Sequence, residues 1–371
     1  MREPRTLRVA DGEVHVYRLF DVADAVDLPA AERALAQPRG RLKLEGHHSG
    51  TALEIPRPPL HVHLGARRLS VAAESFDALA TARLFDHGVV SVRYRLPIPA
   101  GSSLEELLPL AEALVAEPTP ALDQAARREA DELVRALAPC LEKPHAWEGL
   151  ETYTVFFVRR FEEPATADDV LRDAPLGRLV LGETSGVPLS DAEREDVLKN
   201  RYSYLEDDLA VVDWNCAFVL EPSGVTDIPD LLEFATAHLL ELRYYDSLLD
   251  RELQGIYGEI DAKRTLFNVF TRRYLKLRRR TAALLLELSE MTERLENAVK
   301  IVGDFYLARL YQGAVRRFRL PVWQDTVLRK QKLLAGVHEL LNDAADTRRA
   351  ELLELTIILL ILWEILYAFI R

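Results

Sequence analysis

Cysteine is nearly absent from this sequence: Cys140 and Cys216 are the only two in 371 residues, far apart and with no histidine or cysteine at metal-ligand spacing. That excludes a disulfide framework and a zinc ribbon, and it fits a reducing compartment. A phosphate-cradling glycine loop is also missing, because Gly182 and Gly186 lack the lysine and the strand-to-helix setting such loops require. No glycine-flanked serine elbow occurs, and neither cysteine has a neighbour that would activate it. Positive charge is in deficit. A net charge of -12 is a poor match to a surface that tracks phosphates, so nucleic acid is not an expected partner. Residues 1–14 contain no continuous apolar stretch of the kind that forms a secretory leader. No cofactor motif appears, and none is expected to be bound.

What is present divides the chain in two. Runs rich in Val, Phe and Tyr at 14–20, 60–64, 88–96, 153–161 and 209–220 have the composition of strands. Ser102 or Ser103 followed by Glu105 and Glu106 predicts a capped helix through about Val115, and 120–138 carries a second amphipathic pattern. The segments 39–59 and 162–191 read as loops with little core. After Pro229 helix breakers become rare. Leu284, Leu288, Met291, Leu295, Ala298, Val302 and Phe305 recur four and three apart, as do Val327, Leu334, Val337, Leu341 and Ala344, the spacing of a helical seam. Leu242, Tyr245, Leu249, Ile256 and Ile260 lie on one face of an earlier helix. Turns are expected at 255–258 or 278–280, and at 313–321. The expected fold is therefore α+β: a mixed α/β domain over 1–228, with a possible break at 140–150, then a coiled-coil-like helical hairpin over 229–350 and an apolar helix over 351–371.

That last helix is the most apolar part of the chain. Eleven of the sixteen residues in LTIILLILWEILYAFI are Leu, Ile or Phe, a composition that favours bilayer insertion by about 3 to 7 kcal/mol. Glu364 opposes it by a few kcal/mol. Sixteen helical residues also rise only about 24 Å against a hydrocarbon core of about 30 Å. The expectation is a C-terminal membrane anchor, with Leu355, Ile358, Leu362, Glu364 and Ile365 in contact with membrane or with other copies in an oligomer. Arg348 and Arg349 then place the body on the cytoplasmic side. The alternative is a soluble homo-oligomer whose tails pack together with Glu364 hydrogen-bonded inside. A channel-like assembly, as in magnesium transporters of similar outline, is disfavoured by a single span without a filter motif.

Three polar groups could carry chemistry. Glu206, Asp207, Asp208 and Asp213 form the densest acidic set, so Asp207, Asp208 and Asp213 are the weak candidates for a metal-dependent enzyme. Two turns flanking one strand explain the same residues more simply. Arg272, Arg273, Lys276, Arg278, Arg279 and Arg280 could grip a lipid, an RNA or a protein partner, or could equally be a solvated helix end, as could Arg316, Arg317 and Arg319. His61 and His63 alternate onto one strand face near His47 and His48, but without a third ligand they do not make a metal site.

The segments VYRLFDVADAVDL (16–28), LFDHGVVSVRYRL (84–96) and RRAELLELTIILLILWEIL (348–366) give the chain a remote similarity to the DUF155 family, which includes yeast meiotic nuclear division proteins and a human mitochondrial relative. Asp86, Gly88, Val89 and Val90 correspond to that family's strand motif, and Glu364 to its tail carboxylate. The stretch YSYLEDDLAVVDWN (202–215) has no counterpart there. The resemblance implies a membrane-associated, oligomeric, non-enzymatic protein, with mitochondrial relatives tied to organelle translation. Together these features give the expectation of a membrane-anchored scaffold or tether without catalytic activity.

Overall fold

The computed structural model describes residues 5–35, 39–42, 44, 55–72, 74–261, 272–297 and 305–370. In chain order its strands are β1 (Val9–Asp21), β2 (Ala23–Val26), β3 (Arg39–Arg41), β4 (Leu60–Val71), β5 (Glu74–Leu84), β6 (Val89–Pro97), β7 (Leu141–Pro144), β8 (Glu151–Phe161), β9 (Arg201–Tyr202), β10 (Leu209–Val212) and β11 (Cys216–Leu220). The helices are α1 (Leu28–Ala34), α2 (Leu108–Ala111), α3 (Pro120–Ala136), α4 (Ala167–Asp173), α5 (Leu176–Leu181), α6 (Asp191–Leu198), α7 (Asp227–Asp261), α8 (Arg272–Asn297), α9 (Phe305–Arg317) and α10 (Leu320–Ile370). The chain forms two compact units, one of Met1–Tyr244 with Leu295–Trp323 and the other of Tyr245–Arg294 with Gln324–Arg371. It is mixed α and β, with a large N-terminal sheet and C-terminal helices.

The first unit is built on a sheet of nine described strands in the order β3-β4-β5-β6-β1-β8-β11-β10-β9, antiparallel except where β11 runs parallel to β8. β1 lies at its centre, and period-two alternation sends Val14, Val16 and Phe20 to one face and His15, Tyr17 and Leu19 to the other. The first face joins Val92, Tyr94, Phe156, Val158 and Phe218 to the apolar side chains of α3 and α5. Arg18 sits on that face, 1% exposed. It donates from Nε to Asp123 Oδ1 and from Nη2 to Thr119 Oγ1, each at 2.6 Å, which ties the start of α3 to the sheet.

The second face carries charge. Arg83 of β5 meets Asp230 at 2.7 Å and Glu233 at 2.5 Å, both on α7, and Arg93 of β6 lies 3.4 Å from Asp230. All four are buried. Apolar contacts accompany them, Phe85 on Phe234 and Tyr153 on Phe318. Ser103 and Glu106 hold each other's backbone N–H at 3.0 and 3.3 Å, but across a turn and not at the expected helix start: α2 begins at Leu108, and its N-cap Leu107 makes no side-chain cap bond. The segment 162–191 differs from expectation: α4 and α5 occupy it, with Leu176, Leu179 and Val180 in the core. The run 209–220 is two strands, because Asp213 to Asn215 turn the chain between β10 and β11.

In the second unit α7, α8 and α10 bury Leu249, Leu253, Ile256, Leu284, Leu288, Leu334, Val337 and Leu341. Lys330 joins α10 to α7 at Asp246 (2.7 Å) and Asp250 (2.6 Å), and Thr281 joins α8 to His338 at 2.8 Å. Helix continues through Gly255 and Gly258 and through 278–280, and residues 262–271 between α7 and α8 lie outside the described residues. Ala298 and Val302 lie outside them too. The later turn is found at 318–319, where Arg319 has φ 56°.

The tail corrects an expectation. Leu355, Ile358, Leu362 and Ile365 are on α10 and exposed. Among the described residues no helix is long and apolar enough to cross a membrane. The physical reason is charge: Glu351, Glu354 and Glu364 interrupt the apolar run of α10. The membrane anchor is overturned. With it fall the membrane partner, the membrane-associated location with a cytoplasmic-side body, and the membrane-anchored scaffold.

Replacing Arg83 with Met leaves Glu233 buried without its guanidinium, and the expected loss is about 3–5 kcal/mol of unfolding free energy at pH 7. The double variant Arg83→Met/Glu233→Leu should recover a substantial part of it. Urea unfolding of the three proteins decides this; equal losses in single and double variants would show that the charges do not act as a pair.

Candidate functional site

Titratable side chains converge where the end of β1, the β2–β7 ribbon, the β5–β6 turn and α7 meet. The turn Phe85–Asp86–His87–Gly88 requires glycine at its last position. Gly88 has φ +90°, and a Cβ there would stand 1.6 Å from the carbonyl oxygen of Ala23. That close approach lets Val22 N–H donate to Gly88 O at 3.0 Å and Val26 N–H to Asp86 O at 2.9 Å, and His145 N–H in turn donates to Val22 O at 3.0 Å. Side chains from five elements are brought together in this way.

His145 pairs through Nε2 with Asp21 Oδ1 at 2.6 Å and through Nδ1 with Asp24 Oδ1 at 3.6 Å, its ring stacked on Tyr244 with centroids 4.3 Å apart. Lys143 adds a contact to Asp24 at 2.8 Å. His87 lies 3.3 Å from Asp86 and 3.6 Å from Glu241 of α7, and Asp86 also meets Arg57 at 3.2 Å. The His238 ring sits 5.6 Å from that of His87, with Nδ1 3.2 Å from the Tyr311 hydroxyl.

Burial acts to lower the pKa of His145, but hydrogen bonds and charges from Asp21 and Asp24 outweigh it and raise the group to about 9. Burial raises Asp21 to about 6 against the opposing pull of His145. His87 is likewise raised, because the charge of Glu241 and the contact with Asp86 exceed the cost of burial. His238 has no carboxylate of its own, so burial and then the positive charge of His87 lower it to about 3. Asp86 falls to about 2, burial opposing and His87 and Arg57 prevailing. The arrangement can hold protons and tie elements together. Chemistry on a substrate is restricted by access, since His87, Glu241 and Asp21 side chains are only 2–4% exposed.

The residues singled out from the sequence do not form one site. Asp207 is exposed in the turn before β10. Asp208 is buried and accepts from the Tyr204 and Leu205 N–H groups at 2.7 and 2.9 Å. Asp213 is buried and accepts from Arg317 at 2.6 Å. Their carboxylates serve a turn and an ion pair, and among the described residues no group of three or more His, Cys, Asp or Glu could hold a metal ion. The metal-dependent enzyme therefore has no centre in this acidic set. Lys276, Arg279 and Arg280 are exposed on α8, Arg278 is half-buried, and Arg280 pairs with Glu252. Arg272 and Arg273 begin α8, but their side chains lie outside what the structure describes. His61 and His63 share a face with rings 4.7 Å apart, and burial followed by the charges of Arg83 and Arg93 lowers His61 to about 3. His47 and His48 lie outside the described residues.

Sequence reasoning missed Asp21, Asp24, His87, His145, His238 and Glu241. Part of the signal was present: Asp21 and Asp24 stand three apart beside the Asp86–Gly88 turn motif, and His238 and Glu241 stand three apart on a helix, where such spacing shares a face. His145 is 124 residues from Asp21 and carries no local mark.

Because the folded-state value of His238 lies below that of an exposed imidazole, its stabilising contribution is present above pH 6.5 and is lost as pH falls toward about 3. A His238→Leu variant that folds should therefore lose about 3 kcal/mol less stability than the parent between pH 6.5 and 4. Urea midpoints across that range test this, and parallel pH profiles would refute it.

A family model described as the N-terminal domain of uncharacterized protein MJ0711 matches residues 11–227, ending at the first residue of α7. Uncharacterized protein MJ0711 of Methanocaldococcus jannaschii is 26% identical over 250 residues, spanning 64% of this chain and 72% of its own. No solved structure matches. Nothing in these matches links the chain to the DUF155 family. The matched segment covers more than half of the sequence and every strand of the sheet after the start of β1, and the chain belongs to the MJ0711 N-terminal domain family.

Proposed function

We propose that this chain works by binding another protein and not by catalysis. The observation behind this reading is that its strongly shifted acid–base groups are spent on one another inside packed layers. His145 is engaged by Asp21 and Asp24, His87 by Asp86 and Glu241, and Glu13 by His15 and Arg159. Two cavities among the described residues support the same reading. A shallow cleft of about 660 Å³ is lined by Ala192, Glu195, Asp196, Lys199 and Arg201, and a pocket of about 270 Å³ is floored by Phe76, Pro97, Ile98 and Leu107. Among the described residues neither is lined by a histidine or a cysteine.

The contact surface in this reading is the basic face of α8. Lys276 and Arg279 are exposed there on a chain whose net charge is strongly negative, so they favour an acidic face of a partner protein, held by contacts that weaken with salt. The packing of α8 with α10 into a longer helical hairpin that presents this face belongs to the same proposal.

Charge reversal, Lys276→Glu with Arg279→Glu, should change stability by no more than about 0.5 kcal/mol because both side chains are exposed. Crosslinking in cells followed by quantitative mass spectrometry should show at least one protein captured by the parent and depleted about tenfold with the variant. An unchanged set of captured proteins would remove α8 as the contact. Turnover of any compound in a broad panel of esters, phosphoesters and peptides, lost in Asp86→Ala, would overturn the non-catalytic reading.

A further inference from the structure

We propose that the β2–β7 ribbon is held in place by a proton-operated latch, in which the charged ring of His145 clasps Asp21 and Asp24 beside the Asp86–His87–Glu241 set, and whose loss of charge frees the ribbon. Three features of the ribbon make it the part that would move. It is short, four residues on each strand, and it is a separate pair outside the large sheet. Its outer strand has little apolar burial: Glu142, Lys143 and Pro144 are exposed, and Leu141 is only half-buried. Lys143 has φ 44°, a left-handed conformation that residues other than glycine rarely adopt.

Ala23 and Val26 anchor β2 in the core, so β7 is the strand that is freed, and with so little apolar surface of its own, charge contributes a large share of what holds it. The groups facing His145 are Asp21 of β1, Asp24 of β2, Lys143 of β7 and Tyr244 of α7. Those facing His87 are Asp86 of the turn and Glu241 and His238 of α7, with Arg57 behind Asp86. An imidazole held above its ordinary value by closed-state partners favours closure while protonated, because the open state binds that proton less tightly. The sign follows directly. Closure weakens as pH rises from 6.5 through about 9, the value to which Asp21 and Asp24 raise His145. It is lost again at acid pH where Asp24, which burial would raise but His145 and Lys143 hold low, takes up a proton. Asp21 acts in the same sense at lower pH, since burial makes it hold a proton to about 6.

The chain contains its own reporter. Cys140 directly precedes β7, is 9% exposed, and accepts a hydrogen bond from Asp27 N–H through its carbonyl at 2.9 Å, whereas Cys216 is wholly buried in β11. Reaction of Cys140 with an aromatic disulfide reagent, divided at each pH by the rate for the urea-unfolded chain, measures ribbon opening free of thiol ionisation. Full-length protein with Cys216→Ala reports Cys140 alone, and Cys140→Ser reports Cys216. The normalised Cys140 rate should rise about tenfold or more between pH 7 and 10, with Cys216 unchanged. Asp24→Asn should shift the rise to lower pH. His145→Gln, neutral throughout, should give a rate already high at pH 7 and flat above it. A Cys140 rate independent of pH, a profile unmoved by either variant with native circular dichroism, or a parallel rise at Cys216 would overturn the latch.

Discussion

The ion pairs of Arg83 and Arg93 with Asp230 and Glu233 are the constraint on which the first unit depends. A guanidinium inside a sheet-to-helix layer has lost its water, and only a carboxylate at hydrogen-bonding distance offsets that loss. Arg83 has two, and their charges hold its proton more tightly than that of a free arginine despite burial. Sequence order alone would allow the chain after β11 to leave the sheet. Because β5 and β6 each present an arginine to that face, the next helix must return to cover them with its acidic first turns. The same face then closes around Phe85, Phe234, Tyr153 and Phe318, so the sheet is buried on both sides. Most residues of β1 and β8 are buried as a consequence.

This arrangement explains which parts of the sequence could be read. β1 and β8 are dense in β-branched and aromatic residues and were legible from composition, although two-sided burial extends them beyond the runs that composition marks. The Ser103 and Glu106 reciprocity was legible because its signal is local, though it closes a turn before α2, and α3 was legible because its stripe of Leu122, Ala126, Ala130 and Leu133 keeps helical spacing. β5 was not. Its ESFDALATARL sequence is rich in alanine, a helix former, and becomes a strand only because β4 and β6 pair with it on both sides. The short helices α4 and α5 were hidden by surrounding Pro, Gly and Asp residues that read as loop. The tail misled for a different reason, since apolar composition was plain while three glutamates along it told against a span.

The site was less legible than the fold because its pairs are long-range. Asp21 meets His145 across 124 residues, and each alone is an unremarked polar residue. Histidine adds a further difficulty. His87, His145 and His238 have identical side chains, yet carboxylates raise the first two while burial near His87 lowers the third. Their protonation is a property of the assembled neighbourhood, and no spacing rule conveys it.

Helix α7 joins the arginine layer to the imidazole cluster. Asp230, Glu233, His238, Glu241 and Tyr244 recur every three to five residues, which places a polar stripe along one side of a helix that is otherwise largely apolar where it is buried. Apolar packing is non-directional, so it leaves the axial position of such a helix weakly fixed. A slip of one turn, about 5.4 Å, would break more than apolar packing. It would carry Asp230 and Glu233 away from Arg83 and, in the same motion, Glu241 from His87 and Tyr244 from His145. The stripe therefore sets the register of α7, and the arginine layer fixes the carboxylate and the aromatic ring that face the imidazoles. The proton affinity of His87 is in this sense a consequence of where Arg83 stands in the sheet.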